Sequence, residues 1–297
     1  MATHDERLLL PSTARDGLTK VRIFGFLALI LLVLAAAGSS LAPHDPFLQD
    51  LDHSLLPPGG AYPLGTDRFG RCVFSRVLAG STVSLYASLA VVGMTMAVGT
   101  ITGLVAGFFG GRTDQLLMRC TDVFLAFPVP VFAMVAAALL GRFGNASQSE
   151  YGGLAGAMAA LTLISWPKYA RLVRSCVLDI RHRPFIAAAR FSGCSRAEIL
   201  FRQILPLVLG PTLIMMTSDM GTVLLEMAGL SFLGLGVQPP AAEWGLMIGS
   251  ARSLLQTAPW VLFAPGAALL VTVTVFNLLG DSLQDVLTRR SERGMQG

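Results

Sequence analysis

Charge is what this chain lacks. Of its 297 residues, 13% are Asp, Glu, Lys or Arg and 53% are hydrophobic. An ordinary soluble domain carries about 25% charged residues. The deficit is concentrated in runs. Between Arg22 and His44 lie 21 residues without a charge, between Arg76 and Arg112 lie 35, and between Asp122 and Arg142 lie 19. Another 17 lie between Glu150 and Lys168, and 28 between Arg252 and Asp281. A helix needs about 20 apolar residues to cross a bilayer. Soluble helices rarely run past about 18 residues without charge, which sets aside a large soluble helical core. A sixth apolar run, roughly Leu207 to Gly229, is interrupted by Asp219 and Glu226. Hydrocarbon forces backbone polar groups to bond within their own segment. The expected fold is therefore all-α: a polytopic membrane protein with six transmembrane helices, kinked at Pro128, Pro130 and Pro211.

Other absences exclude chemistry. The four cysteines (Cys72, Cys120, Cys176, Cys194) form no close pair, so nothing reads as a zinc site or a disulfide framework. No metal ligand set and no catalytic residue emerges. The chain contains no G-x-x-x-x-G-K-[ST] phosphate loop, so any ATP must be hydrolysed by another protein. The isoelectric point near 9.1 does not call for nucleic acid, because membrane topology explains where the basic residues fall.

Placing the N-terminus in the cytoplasm puts 17 of the 22 basic residues on the inner side. These are Arg7, Arg15, Lys20 and Arg22, then Arg112 and Arg119, then eight from Lys168 to Arg202, and finally Arg289, Arg290 and Arg293. The outer side holds Arg68, Arg71, Arg76, Arg142 and Arg252. Short loops rich in Lys and Arg stay inside, so both termini are expected in the cytoplasm. The Ala-rich end of the first run, Ala35 to Gly38, resembles a signal cleavage site, but 21 uncharged residues exceed the 7 to 15 of a signal core and favour a retained span. The expected organisation is a cytoplasmic tail at 1–21, a first transmembrane helix at 22–42 and an outer loop at 43–80. A five-helix core at 81–281 follows, with a cytoplasmic loop at 179–206, and then a C-terminal tail at 282–297.

In the outer loop, the Pro57, Pro58, Gly59, Gly60 cluster is a turn signal. After it, Phe69, Val73 and Val77 recur every four residues among Asp67, Arg68 and Arg71. That spacing predicts a short amphipathic helix on the outer membrane surface, used for docking or gating, or else a solvated connector. In the second apolar run, Gly93, Gly99, Gly103 and Gly107 suit close helix packing in lipid or lining of a path.

The central basic segment is built differently from the rest. Lys168, Arg171 and Arg174 recur every third residue, as interface anchors that snorkel or as part of a continuing helix. Pro184 suits a first helical position, and Gly193 suits a helix end. Ser195-Arg-Ala-Glu198 is a capping box. Two short helices meeting at a glycine turn are therefore expected. Ala187, Ala188 and Ala189 offer a surface that another protein can approach, with Arg190 and Arg196 at its rim; an ordinary connector is the plainer reading.

Ala187, Ala188, Ala189, then Gly193, then Leu205 and Pro206 resemble the E-A-A coupling loop of ABC importer permeases, with Ala187 where glutamate is usual. PLGTDRFGRCVFSRVLAG (Pro63 to Gly80) is similar to a segment of dipeptide and oligopeptide permeases, with Cys72 where aspartate is usual. LLEMAGLSFLGLGVQPPAAEWG (Leu224 to Gly245) resembles that family's loop after the fifth span, and FNLLGDSLQDVL (Phe276 to Leu287) its C-terminal signature. The resemblance implies the type I importer permease fold and the second permease subunit of a peptide-type ABC importer in a bacterial inner membrane. It implies a second permease, two cytoplasmic ATPases that bind the ATP, and an outer binding protein as partners. Ala187 to Ala189, Arg190, Gly193, Ser195 and Glu198 would then form the ATPase-coupling loop. Close relatives carry nickel chelates, glutathione or other small solutes. Asp219 and Glu226, seven residues apart on one helical face, are candidates for the translocation path, because charges within a membrane face protein or water. They are also candidates for a structural pair. The rival classes are a self-contained secondary transporter or channel, and a membrane scaffold.

Overall fold

The computed structural model describes residues 6–141 and 151–294, with side chains described over 17–141 and 151–287. Arg142 and Glu150 lie outside the described residues, as do the side chains of Arg7, Arg15, Arg289, Arg290 and Arg293. The helices are α1 (Glu6–Ala37), α2 (Val73–Phe109), α3 (Gly111–Leu125), α4 (Val129–Leu140), α5 (Gly152–Ile180), α6 (Pro184–Phe191), α7 (Arg196–Glu198), α8 (Leu205–Phe232), α9 (Trp244–Ala251) and α10 (Trp260–Gly294). A π-helical turn, Ile199–Ile204, joins α7 to α8. No strand occurs among the described residues, only an isolated bridge between Thr66 and Cys72. The all-α expectation holds.

Four stretches are long and apolar enough to cross a membrane: Gly17–Ala37, Val73–Phe109, Arg196–Phe232 and Trp260–Leu287. The pair α3 and α4, bent by 92°, makes a fifth if it counts as one broken span. The count falls short of six at α5. Its first half is built from small residues (Gly152, Gly153, Gly156), and the helix runs on through Pro167 into Lys168, Arg171 and Arg174, which lowers its mean hydropathy. Pro128 opens a new helix rather than kinking one: it is the N-cap of α4, with Pro130 in the first turn. Pro211 sits inside an unbroken α8.

Helix α1 ends at Ala37, where the chain turns at Gly38, Ser39 and Ser40. A side chain at Gly38 would strike the Leu78 carbonyl oxygen. Helix α2 begins at Val73, within the expected 43–80 segment, and α10 runs on into 282–297 as far as Gly294.

The chain forms two compact units. The first contains residues 1–85, 217–225 and 242–297, and the second contains 86–216 and 226–241. In the first, α1 packs along α10. Ala35, Leu85, Leu224, Trp244, Met247 and Val273 share a core, and Val73, Ala251, Ala258 and Val261 make another. Glu243 caps α9 by accepting from the amides of Gly245 (2.9 Å) and Leu246 (2.8 Å) and from the Ser84 hydroxyl (3.1 Å). A carboxylate at a helix N-terminus also meets the positive end of the helix dipole.

The amphipathic helix expected near residues 67–77 does not form as such; residues 66–72 are a tight loop. The Asp67 carboxylate accepts from the Phe69 amide (2.8 Å) and the Arg71 amide (3.1 Å), which diverts both donors from a helix ladder. Gly70 follows at φ 72°, a conformation that favours glycine, and its backbone lies against the Asp50 carbonyl. The same carboxylate pairs with the Arg71 guanidinium at 2.7 Å and lies 3.8 Å from Arg76, all three residues being buried. Arg76 also donates to the Pro46 carbonyl, and Arg68 donates to Ser250 and Ser253. On the exposed rim, the hydrogen bond with His53 at 2.7 Å holds the Asp50 carboxyl below the usual carboxylate range. The segment between α1 and α2 is thus a fastened structure.

In the second unit, α2 lies against α5 along Gly99, Gly103 and Gly107. A methyl at Gly103 would meet the Ala170 carbonyl at 2.5 Å and the Val173 Cβ at 2.7 Å; one at Gly107 would meet the Val177 Cβ at 2.7 Å. Gly93 faces open space, so three of the four glycines serve packing. Backbone atoms cannot yield as a side chain can, so Gly103→Val should cost about 3 kcal/mol. The check is thermal unfolding of the detergent-purified chain: Gly93→Val should melt with the wild type, and Gly103→Val well below it.

Candidate functional site: a helical hairpin mounted on α5 and α8

Helix α5 is clamped before the hairpin begins. Arg174 forms a two-pronged pair with Asp114 of α3 (2.5 and 2.7 Å), and Arg171 pairs with Asp122 at 2.5 Å. Arg181, at the end of α5, donates to the Gly107 carbonyl at 3.0 Å. Arg171 and Arg174 therefore bind α3 rather than merely reaching for a headgroup layer.

Helix α6 begins with Pro184 in its first turn, after the extended residue Arg183. It ends in a Schellman arrangement. The Cys194 amide donates to the Ala189 carbonyl at 3.1 Å, and Gly193 takes φ 81°. Nothing lies within 4 Å of a side chain built at Gly193, so backbone conformation, not space, calls for glycine there. The Ser195 hydroxyl then caps α7 by accepting from the Glu198 amide at 3.2 Å. The Glu198 carboxylate is turned to Arg202 (2.9 Å).

The π turn follows. Its last bond runs from the Leu205 amide to the Leu200 carbonyl, five residues back. Pro206, in the first turn of α8, lacks an amide hydrogen and crowds the carbonyl four residues earlier; the wider turn accommodates it.

One face of the hairpin is foundation. Ile186 and Ala189 are buried against Val173, Val177 and Ile180 of α5, Ile199, Leu200 and Ile204 of the π turn, and Val208 of α8. The other face is bare. Ala187, Ala188, Arg190 and Phe191 are exposed, as are Gly193 and Ser195. The expected three-alanine surface is corrected to two, because the pitch of α6 turns Ala189 inward. Phe191, 93% exposed, was not singled out by the motif reading. The spacing carried a signal for it, since Pro184, Ala187, Ala188 and Phe191 recur at i, i+3, i+4 and i+7 opposite Ile186 and Ala189. Asp219 and Glu226 both sit half-buried on α8, away from this hairpin in the chain.

Residues 99–293 match the pattern of the family described as binding-protein-dependent transport system inner membrane component. The chain belongs to that family. This inner membrane component is 38% identical over 267 residues to the nickel transport system permease protein NikC of Escherichia coli (strain K12), covering 90% of this chain and 93% of that one. It is 35% identical over 295 residues to the di/tripeptide transport system permease protein DppC of Pseudomonas aeruginosa (strain UCBPP-PA14), covering 95% and 94%. It is 38% identical over 264 residues to the glutathione transport system permease protein GsiD of Pectobacterium atrosepticum, covering 89% and 84%. Among solved structures, an inward-facing form of the MetNI methionine ABC transporter matches at a TM-score of 0.51 and 19% identity, over 68% of this chain and 94% of that one. That likeness supports the fold alone. The protein is a multi-pass membrane permease of the ABC importer type, a transport subunit rather than an enzyme. Family membership sets aside the self-contained transporter and the scaffold.

Proposed function

We propose that this permease pairs with a second, different permease to form the path of an ATP-driven importer, and that its cargo is di- or oligopeptide delivered by an outer binding protein. Two cytoplasmic ATPase subunits supply the energy, and α6 is the element one of them grips. The observation that carries this reading is the mounting of α6: a bare outer face on a rigid inner one, anchored to both α5 and α8. A pull on α6 is therefore passed to two long helices at once. Nucleotide-driven closure of the ATPases would rock the spans between outward- and inward-open states, which is alternating access. The bias comes from the different affinity of ATP for the two states. Both termini and α6 face the cytoplasm, in keeping with the excess of Lys and Arg there.

The relatives favour one second reading, in which the same architecture carries nickel chelates or glutathione. NikC and GsiD are at least as similar as DppC. Uptake of a labelled dipeptide, of nickel and of glutathione, in cells with and without the chain, separates these. Loss of dipeptide uptake alone supports the peptide reading; loss of nickel or glutathione uptake with dipeptide uptake intact overturns it.

Asp219 and Glu226 line the path in this proposal. Asp219→Asn and Glu226→Ala should each lower uptake at least about tenfold, since intramembrane charges are held at a cost for function. Unchanged uptake in both variants, with normal assembly, removes both from the path.

A further inference from the structure

Resting on the reading of α6 as an ATPase grip, we infer that Phe191 is its anchor, and that the ATPase receives it in an apolar socket rimmed by carboxylates. The alanines alone do not supply the binding energy. A methyl group offers little area, whereas an aromatic ring is the largest apolar surface a small helix can present. Phe191 is 93% exposed and closes α6 at its C-terminal end. It lies beyond the solvent-facing Ala187 and Ala188, whose small size lets a partner's backbone come close enough for the ring to insert. The ring is carried on a stiff base. On the opposite face of α6 Ile186 is fully buried and Ala189 nearly so, and the Schellman turn fixes the end of the helix. The backbone that carries the ring is fixed before binding, so docking orders only the ring's own torsions, and buried aromatics at the centre of a contact are where binding energy concentrates.

Charge defines the socket. From Ile180 to Ala197 there is no Asp or Glu, while Arg181, Arg183, Arg190 and Arg196 fall in that stretch. Arg181 is held by the Gly107 carbonyl, and Arg183, Arg190 and Arg196 are exposed. A matching surface has carboxylates around an apolar centre. Complementary charge of this kind speeds encounter and rejects wrong partners.

The test uses the full chain, co-expressed with its transporter neighbours and purified in detergent. The readout is the amount of co-isolated ATPase, identified by mass spectrometry as a phosphate-loop protein and assayed for ATP hydrolysis. Phe191→Ala should lower retained ATPase about thirtyfold, Phe191→Leu only a few-fold, and both should melt with the wild-type chain. Arg190→Glu should weaken retention, and raising the salt should weaken the wild type. If Phe191→Ala retains ATPase like the wild type while Ala188→Asp loses it, the grip stands and the anchor is wrong. If Arg190→Glu binds more tightly, the socket is not acidic. If no phosphate-loop ATPase accompanies the wild-type chain, the underlying reading of α6 fails as well.

Discussion

Asp67→Ala should destabilise the segment between α1 and α2 by about 3–5 kcal/mol, the cost of breaking a buried ion pair and leaving its partner uncompensated. One carboxylate closes the loop at the Phe69 and Arg71 amides, pairs with the Arg71 guanidinium at 2.7 Å, and offsets Arg76 at 3.8 Å. Without it, the buried Arg71 guanidinium loses the carboxylate it pairs with. Asp67→Asn keeps an acceptor for the amides and loses only the charge, so it should fall between alanine and wild type. Removing Arg71 together with Asp67 should recover part of the loss, because one uncompensated cation goes with it. The measurements are thermal unfolding in detergent and protease cutting between residues 43 and 72. An Asp67→Ala chain that melts within about 0.5 kcal/mol of the wild type and resists cutting contradicts this account of the loop.

The second large effect separates two adjacent alanines. Ala188 is exposed and Ala189 is buried under α6. An aspartate at 188 meets water in the isolated chain and should change its stability by less than about 0.5 kcal/mol. In the complex proposed above, the same carboxylate would be buried against an acidic partner surface. An uncompensated charge there costs about 3 kcal/mol or more, which is about a hundredfold in affinity. ATP-driven uptake should therefore collapse while the permease stays folded and inserted. Ala189→Asp drives a charge into the core of Val173, Val177 and Ile199 and should lower the melting point of the chain itself. Equal melting of the two variants would mean that α6 does not sit on α5 and the π turn as described.

These two alanines also show how far the amino-acid order could be read. The two short helices between Pro184 and Glu198 were legible because they are a local pattern. So were Pro184 at the helix start, the left-handed Gly193 and the Ser195 cap, each determined by the backbone needs of a single turn. Which alanine faced inward was harder to see, because it depends on what α5 and α8 bring to the underside. The segment before α2 was misread for a different, local reason. The four-residue spacing of Phe69, Val73 and Val77 spelled a helix, but a carboxylate at Asp67 and a left-handed Gly70 competed for the same backbone and won. The glycines of α2 looked alike, and only the position of α5 distinguishes Gly103 from Gly93. The π turn had no spelling of its own. It is the joint consequence of Pro206 and of Ile199, Leu200 and Ile204 being held under α6.

In the proposed mechanism a separate ATPase moves this membrane permease through α6. The direct measurement is ATP-driven accumulation of labelled dipeptide in vesicles reconstituted with both permeases and the binding protein, with and without the ATPase subunits. The account predicts accumulation only when the ATPases are present, and none when they are paired with Ala188→Asp. Accumulation by the permeases alone, or undiminished accumulation by Ala188→Asp, contradicts it.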